Sequence, residues 1–303
     1  MITTGESDLI LAPIAGYSDV GMRLLCSRYG AGLCFTEMVS AKGLFYGNEN
    51  TSSLLHTDPE EHNTGVQLFG SEPDIFAEVV RFDCIRKFPL VDINMGCPVR
   101  KITSNNEGSA LMRSPESIEK IVRAVKQNFG KMVTVKMRLG IDGVINATEC
   151  ALAAQEGGAD MVTVHGRTKE QLYGGHADYD AIARVKERLS IPLCGNGDVT
   201  DKDSYLRMKQ TGADYVMIAR GAMGRPYVFS QIKETPYTYD VRSAVIFHIE
   251  KLCSFLPAKT VLNVMKKQIA CYVYGMRGSK AIKERAFSAS SLDELKAVFD
   301  FSE

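Results

Sequence analysis

Short apolar runs alternate with longer amphipathic segments along most of this 303-residue chain. The runs have the length of buried strands, and most of them contain the β-branched residues typical of strands. The runs are Leu9–Ile14, Leu33–Met38, Gly65–Phe69, Leu90–Asn94, Met132–Arg138, Met161–His165, Pro192–Asn196 and Tyr215–Ala219. The segments with helical periodicity include Glu72–Phe88, Pro115–Phe129, Ala147–Glu156 and Tyr179–Leu189. Eight strands that alternate with helices predict an α/β fold, a (β/α)8 TIM barrel.

The alternative is an open, doubly wound sheet, which a G-x-G-x-x-G string after the first run would favour, and none is present there. After Pro226 the strand pattern stops, and three helical segments follow, Val241–Leu256, Lys259–Gly275 and Ser291–Phe301. The sequence therefore predicts a barrel over residues 1–230 and a small all-helical domain over residues 231–303.

The whole chain has no net charge, but one stretch near its end is strongly basic. Lys+Arg and Asp+Glu both number 36, so bulk charge gives no argument for nucleic-acid binding. Between Ala258 and Arg285, seven basic residues face one acidic residue, Glu284, a local balance of +6. This stretch is either a solvated helix face or a surface for phosphate groups.

The eight cysteines include no C-x-x-C pair, and no histidine lies in an H-E-x-x-H spacing, so we expect no metal site. Free cysteines in apolar runs are typical of a reduced compartment, and a cytoplasmic protein is expected. The start, MITTGESDLI, lacks a signal-peptide pattern, and no apolar stretch reaches the 18 residues of a membrane span. No motif indicates an oligomer, so a monomer is the expected form.

Polar residues close several of the apolar runs, and strand alternation places them on one face. These residues are Thr134, Lys136 and Arg138; Asp92 and Asn94; Thr163 and His165; and Cys194 and Asn196. Burying Lys, Arg and Asp costs free energy unless they are paired or bind a ligand. We therefore expect this face to line the barrel mouth, where barrel enzymes bind their substrates.

Loops at the predicted mouth carry further signals. Cys97 lies in the loop Asn94–Pro98 (NMGCP), whose glycine and proline restrict the backbone, and it is a candidate catalytic thiol. The turns Gly195–Asp198 and Arg220–Ala222 follow the last two runs, the usual phosphate site of such barrels, although they are also compatible with plain glycine-rich turns. With Lys136 nearby, they favour a phosphate-bearing cofactor, and a fixed cation suits an anionic reduced flavin.

Seven strings occur in register with those of the tRNA-dihydrouridine synthases, and residues 10–230 resemble that family. The strings are Ala12-Pro13-Ile14-Ala15-Gly16 with Ser18-Asp19, Phe35-Thr36-Glu37-Met38, Gln67-Leu68-Phe69-Gly70, Asn94-Met95-Gly96-Cys97-Pro98, Val135-Lys136-Met137-Arg138, Val164-His165-Gly166-Arg167-Thr168 and Gly195-Asn196-Gly197-Asp198. The tail resembles the family's C-terminal domain in placement more than in motif.

The resemblance implies an enzyme with flavin mononucleotide (FMN) that reduces one uridine of tRNA to 5,6-dihydrouridine, with NADPH or NADH as electron source. Reduced flavin would give a hydride to uracil C6, and Cys97 would give a proton to C5. The residues implied to hold flavin are Pro13, Ile14, Ala15, Gln67, Lys136, His165, Asn196, Gly197, Asp198, Ala219, Arg220 and Gly221. Those implied to contact substrate are Asn94 near the uracil, Arg138, Arg167 and Lys169 near tRNA phosphates or the base, and Lys266 and Lys267 in the basic tail, which would hold the RNA backbone while one base is flipped out.

The chain departs from the commonest family pattern at several positions. Ala219 and Gly221 flank Arg220 where the usual string is Gly-Arg-Gly or Gly-Arg-Ala, and Tyr179 and Tyr227 stand where tryptophan is expected. These changes keep small or aromatic character.

Three alternatives remain open. One is an FMN barrel of the dihydroorotate dehydrogenase type, which has an Asn-x-x-Cys-Pro-type loop but needs no basic helical tail. Another is the same reduction on ribosomal RNA. The third is an RNA-binding module or tRNA folding factor on an inactive barrel, which the intact Cys97, Lys136 and His165 argue against.

Overall fold

A computed structural model describes residues 7–300 and places eight parallel strands in one sheet. In chain order the strands are β1 (Leu9–Leu11), β2 (Cys34–Ser40), β3 (Thr64–Phe69), β4 (Leu90–Met95), β5 (Met132–Met137), β6 (Gly140–Ile141), β7 (Val144–Ile145), β8 (Met161–His165), β9 (Leu193–Asn196) and β10 (Tyr215–Ile218). β6 and β7 form a separate antiparallel hairpin, and the other eight lie in the order β1-β10-β9-β8-β5-β4-β3-β2.

The two ends of this sheet meet, which makes it a barrel. Ile10 of β1 forms a parallel bridge with Leu33, just ahead of β2, and the Leu11 N–H donates to the Leu33 carbonyl at 2.9 Å. An open doubly wound sheet would leave these two edges apart. The predicted (β/α)8 barrel is therefore confirmed.

Helices follow the strands around the outside of the barrel. They are α1 (Val20–Arg28), α2 (Ala41–Phe45), α3 (Glu49–Ser52), α4 (Pro73–Val79), α5 (Asp83–Arg86), α6 (Arg100–Thr103), α7 (Pro115–Phe129), α8 (Ala147–Glu156), α9 (Tyr179–Lys186), α10 (Lys202–Lys209) and α11 (Val228–Lys233). α7 and α8 have their predicted bounds. The predicted helix Glu72–Phe88 is instead two helices, because Phe82 between them has an extended backbone. No helix within residues 7–300 is long and apolar enough to cross a membrane.

The barrel interior has an apolar layer below a polar one. Among the buried residues that pack together inside the strands are Ile10, Phe35, Leu90, Met161 and Met217. Above them, toward the carboxyl ends of the strands, the inward positions are polar. The opposite faces of the same strands pack under the helices in the larger core. The alternation in sequence thus predicts correctly which face points inward.

Four further helices pack together after the barrel. They are α12 (Val241–Cys253), α13 (Ala258–Tyr272), α14 (Ser279–Ser288) and α15 (Leu292–Lys296). α14 is absent from the sequence-based prediction, since Gly275 and Gly278 interrupt the pattern with left-handed backbone, φ +77° at each. The predicted helix Ser291–Phe301 corresponds to α15 and one 3-10 turn, and Phe301 lies outside the described residues.

The four helices have a core of their own. Val245, Ile249, Met265 and Ile269 pack with one another, and Val20 and Leu25 of α1 complete this cluster from the barrel side. The predicted boundary between residues 230 and 231 falls inside α11, whose buried side chains belong to the barrel core. The division into domains 1–230 and 231–303 stays a prediction.

A buried polar junction joins these helices to the loop after β1. His248 of α12 is fully buried, its Nε2 lies 2.7 Å from Asp19 Oδ1, and its Nδ1 lies 2.9 Å from the Tyr272 hydroxyl. Gln268 of α13 donates to Asp19 Oδ2 at 3.1 Å and to the Gly16 carbonyl at 3.2 Å. The helical unit is therefore hydrogen-bonded to the start of α1 and to the adjoining loop.

At Gly21 this junction leaves no room for a side chain. A Cβ at this position would lie 2.2 Å from His248 Cδ2, and two hydrogen bonds prevent the ring from moving aside. Gly21→Ala is expected to lower the free energy of unfolding by about 1–3 kcal/mol, although alanine is the better helix former. Urea denaturation measures this loss. Gly174→Ala is the control, because its Cβ would meet no atom closer than 3.4 Å; equal stability of the two variants would contradict the prediction.

Candidate active site

Strand register brings the predicted inner-face residues together at the barrel mouth. Asn94 of β4 pairs in register with Lys136 of β5, which pairs with Thr163 of β8. His165, the last residue of β8, pairs with Asn196 of β9. In a barrel all these strand ends meet at one rim, so the predicted polar cluster forms.

A chain of side-chain hydrogen bonds crosses this rim to the candidate thiol. The Asp92 carboxylate accepts from Thr134 Oγ1 at 2.6 Å and from Gln67 Nε2 at 2.7 Å. Gln67 Oε1 accepts from Asn94 Nδ2 at 2.8 Å. Asn94 Oδ1 in turn accepts from the Cys97 N–H at 2.9 Å. The amide groups of Gln67 and Asn94 therefore link Asp92 to the loop that carries Cys97 and hold that loop in place.

The Cys97 loop is also held from its other sides. The Cys97 carbonyl accepts from the Ser109 N–H at 3.0 Å, and Arg138 Nε donates to the Gly96 carbonyl at 2.8 Å. Gly108 lies directly against the loop with φ +60°, and a Cβ there would lie 2.9 Å from the Cys97 carbonyl oxygen. The thiol is half-buried, and this burial raises the pKa of Cys97 above its ordinary value. At neutral pH Cys97 therefore holds its proton.

Positive charge surrounds His165. Burial, followed by the charges of the four neighbouring cations, lowers the pKa of His165 to about 2, so this imidazole is neutral at physiological pH. These cations are Lys136, Arg138, Arg167 and Arg220. Three carboxylates oppose them: Asp92 favours the charged form of Lys136, Glu170 that of Arg138, and Asp198 pairs with both Arg167 and Arg220. The rim therefore carries excess positive charge.

Lys136 is the cation with the fewest contacts. Its ammonium makes no hydrogen bond or ion pair with any side chain or carbonyl of residues 7–300, and burial together with the charge of Arg138 lowers its pKa to about 8. Lys136 is half-buried, and an ammonium partly withdrawn from water without a partner costs free energy. An anionic group bound beside Lys136 would remove that cost, so the site fits a negatively charged cofactor.

Asp198 organises the predicted phosphate turn. Its backbone is left-handed, with φ +53°, and its carboxylate accepts from Arg167 at 2.7 Å and from the Ala177 N–H at 2.8 Å. Arg220 lies 3.2 Å from the other carboxylate oxygen and is half-exposed. A Cβ on neighbouring Gly197 would lie 2.6 Å from Ala177 Cβ, so only glycine fits. This turn and Arg220 leave a cationic group accessible at the mouth, which suits a phosphate.

Two arginines implied to contact the tRNA phosphates or the base are buried. Arg138 donates to the carbonyls of Thr168 and Leu172 at 2.9 Å each, besides its bond to the Cys97 loop. Arg167 donates to the carbonyls of Gly174 and Gly175 as well as to Asp198. These bonds make both side chains braces of the mouth loops, and their contact with RNA stays a prediction.

Most of the other predicted residues lie nearer the surface, whereas Gly221 is buried. In the loop Pro13–Ala15 only Ala15 is fully exposed, Ala219 and Gly221 flank Arg220 after β10, and Lys169 lies 3.7 Å from Glu170. Lys266 and Lys267 lie on α13, with Lys267 exposed, and the next residue of that helix is Gln268 of the buried junction. The basic helix is thus attached to the loop after β1.

No motif marks Tyr173, yet the structure places it at the mouth. Its ring is more than half exposed and lies 5.7 Å from the Arg138 guanidinium and 5.2 Å from that of Arg220. The signal in the sequence is weak, since an aromatic residue before two glycines also occurs in ordinary loops. Only its position after β8 connects it to the site.

Comparison with known proteins decides the family. The dihydrouridine synthase family model matches residues 10–302. The chain belongs to the dihydrouridine synthase family. This match extends through the C-terminal helices, beyond the residues 10–230 that resemble the family by motif. The TIM barrel and the cluster around Cys97 are thus features of a dihydrouridine synthase family member.

Three relatives illustrate the likeness. The chain is 35% identical over 309 residues to the probable tRNA-dihydrouridine synthase 1 of Synechocystis sp., covering 98% of this chain and 86% of that protein. It is 37% identical over 275 residues to tRNA-dihydrouridine synthase B of Xanthomonas axonopodis pv. citri, covering 87% and 83%. The corresponding protein of Vibrio cholerae is 34% identical over 313 residues, covering 97% and 96%.

Proposed function

We propose that this protein reduces a uridine of tRNA to 5,6-dihydrouridine with FMN as its cofactor. The observation that carries the proposal is a half-buried thiol, Cys97, whose backbone N–H is held by a directed hydrogen-bond chain at the mouth of a cationic barrel. Membership of the dihydrouridine synthase family and relatives named for this reaction on tRNA support the substrate. We further propose that NADPH or NADH supplies the electrons.

Lys136, His165 and Arg220 would hold the flavin, each in a different way. Lys136 supplies an ammonium without a partner, neutral His165 supplies a polar ring without added charge, and Arg220 supplies a cation for the phosphate. When bound and reduced, the flavin supplies the hydride for uracil C6. The chain's own residues do the rest, because they bind the flavin, orient the base and deliver the proton.

Cys97 would deliver that proton to uracil C5. A general acid must be protonated before the reaction, and burial keeps the Cys97 thiol in that form. Asn94 directs its oxygen to the Cys97 N–H, which sets the position of the thiol relative to the mouth. The target uridine must leave its stack to reach this thiol, as in other enzymes that act on a base inside folded nucleic acid.

The helical unit would bind the RNA backbone. Its stretch from Ala258 to Arg285 carries the local charge of +6, and α13 contacts the loop after β1 through Gln268. Phosphates held by this surface would therefore lie beside the mouth rather than at a distant point. The proposal assigns catalysis to residues 1–230 and RNA binding to residues 231–303.

Reversing the charge of Lys266 and Lys267 tests that surface. Lys266→Glu with Lys267→Glu is expected to weaken tRNA binding and to lower the slope of log Kd against log salt by about 1 to 2. Binding measured by filter retention across a salt series gives both quantities, and flavin content should not change. Lys120→Glu with Arg188→Glu makes the same charge change on the outside of the barrel. Equal binding by the two double variants would contradict the proposed surface.

One anaerobic experiment tests the reaction itself. The FMN-loaded enzyme is chemically reduced and mixed with unmodified tRNA, ribosomal RNA or a small enone in separate reactions. Flavin reoxidation is followed by visible absorbance, and dihydrouridine is measured by nucleoside mass spectrometry. Reoxidation by tRNA with dihydrouridine formed supports the proposal. Reoxidation by ribosomal RNA or by the enone alone would replace it with the corresponding alternative, and no reoxidation by any of them would favour a binding protein.

A further inference from the structure

Asp92 is the one side chain of the hydrogen-bond chain that can only accept. It is fully buried on β4, and both of its carboxylate oxygens accept hydrogen bonds from side chains, one from Thr134 and one from Gln67. An ionised carboxylate only accepts, whereas a carboxamide both donates and accepts and keeps nearly the same shape when it is rotated by half a turn. The N–H groups of Gly96 and Cys97 are fixed donors at the other end, but they lie on the loop that the chain holds, so Asp92 on β4 is the anchor that sets the direction.

The amides that follow take their orientation from this end. Because Asp92 accepts, Gln67 turns its Nε2 toward it and its Oε1 toward Asn94. Asn94 then turns its Nδ2 toward Gln67, which leaves its Oδ1 for the N–H groups of Gly96 at 3.2 Å and Cys97 at 2.9 Å. A reversed Asn94 would point its Nδ2 at those two N–H groups, and donor would face donor.

The Cys97 backbone depends on this orientation. Other contacts hold the carbonyls of Gly96 and Cys97, but the N–H of Cys97 is held by Asn94. Losing that bond would free the residue whose thiol must point into the mouth. A displacement of about 1 Å at a reacting group is enough to slow an enzyme about 100-fold.

We propose that Asp92 is a positioning residue that sets the direction of the Gln67–Asn94 amide chain and thereby holds Cys97 in place for proton donation. The part about proton donation rests on the proposed function. Asp92 acts through Gln67 and Asn94 rather than on the substrate. Its effect should therefore be reproduced, or cancelled, by changes at Gln67.

Two isosteric substitutions test this. Asp92→Asn replaces the fixed acceptor by a carboxamide that can turn either its oxygen or its NH2 group toward Gln67 Nε2, so the direction of the chain is no longer set. Adding Gln67→Glu places a carboxylate between residue 92 and Asn94, and it can accept a hydrogen bond from the NH2 group of each. The double variant has the same number of carboxylates as the wild type. For FMN-loaded enzyme we expect Asp92→Asn to lower kcat for dihydrouridine formation about 10- to 100-fold with little change in the KM for tRNA. The double variant should recover most of that loss.

A second readout does not depend on the substrate. Alkylation of Cys97 by iodoacetamide in the FMN-loaded protein is followed by peptide mass spectrometry, with exposed Cys84 as internal reference. Asp92→Asn should speed alkylation of Cys97 several-fold, since a loosened loop exposes the thiol, and the double variant should return to the wild-type rate. If the wild type forms no dihydrouridine, the proposed function fails while alkylation still measures the positioning.

The results that overturn the proposal are equally definite. Wild-type kcat and alkylation in Asp92→Asn would show that the chain does not depend on Asp92. If the double variant binds FMN as the wild type does, a loss that Gln67→Glu does not reverse in either readout would show that Asp92 does not act through the direction of the chain. If Asp92→Asn does not fold, the double variant decides alone: a wild-type alkylation rate supports the proposal, and a different rate contradicts it.

Discussion

Cys97→Ala is expected to lower dihydrouridine formation by about 100-fold or more, the usual contribution of a positioned general acid. Burial raises the pKa of this thiol, so at neutral pH it is protonated and ready to give its proton to uracil C5. Alanine removes the proton and leaves the backbone bond to Asn94 intact. The flavin spectrum and the rate of NADPH oxidation should therefore be unchanged.

Rapid mixing of the reduced variant with tRNA measures this loss, with dihydrouridine quantified by mass spectrometry. Cys84→Ala is the matched control, because Cys84 is an exposed thiol on α5, away from the strand ends. Full activity of Cys97→Ala would remove the thiol from the mechanism. Loss of bound flavin in that variant would instead give Cys97 a structural role.

Lys136→Met is expected to weaken FMN binding about 10- to 100-fold, the value of one hydrogen bond to a charged group. Methionine keeps the length of the side chain but removes the only cation of the rim that lacks a partner within residues 7–300. Lys120→Met removes a lysine from the exposed face of α7 and should bind FMN as the wild type does. Equal affinities of the two variants would contradict a role for Lys136 in binding the cofactor.

The pH dependence of FMN binding gives an independent test. Burial lowers the pKa of Lys136 to about 8 in the cofactor-free protein. Below that pH the ammonium is already charged, and above it binding an anion must first take up a proton. Wild-type Kd should therefore rise as the pH increases from 8 to 9.5, while Lys136→Met shows no such rise. Fluorescence titration of FMN at each pH measures both curves, and the same slope in the two proteins would assign the titration to another group.

Some of the site could be predicted from sequence because the signals are local. Lys136, His165 and Asn196 each end an apolar run, and strand alternation alone places them on the inward face. Which atoms these residues contact could not be predicted in this way. Asp92 and Asn94 alternate in the same manner, yet one directs a hydrogen-bond chain and the other transmits it to Cys97.

The roles of Arg138 and Arg167 also could not be predicted from the sequence. Arg138 and Arg167 follow strands in strings typical of the family, and nothing in those strings distinguishes a residue that binds phosphate from a buried brace. In the fold, both guanidinium groups are buried and donate to carbonyls of the mouth loops, so their hydrogen bonds are made within the protein. The helix α14 was missed because left-handed glycines hide its start, and packing against the helical core stabilises it.

The sequence by itself determined the barrel, the inward face of its strands and the family, because periodicity and short strings are properties of neighbouring residues. Only the tertiary structure decided the junction between Gly16, Asp19, His248 and Gln268 and the direction of the amide chain from Asp92. These depend on groups that are distant along the chain and meet in a buried space. There the partner of each polar atom is set by the geometry of its surroundings, since nearly all buried donors find an acceptor.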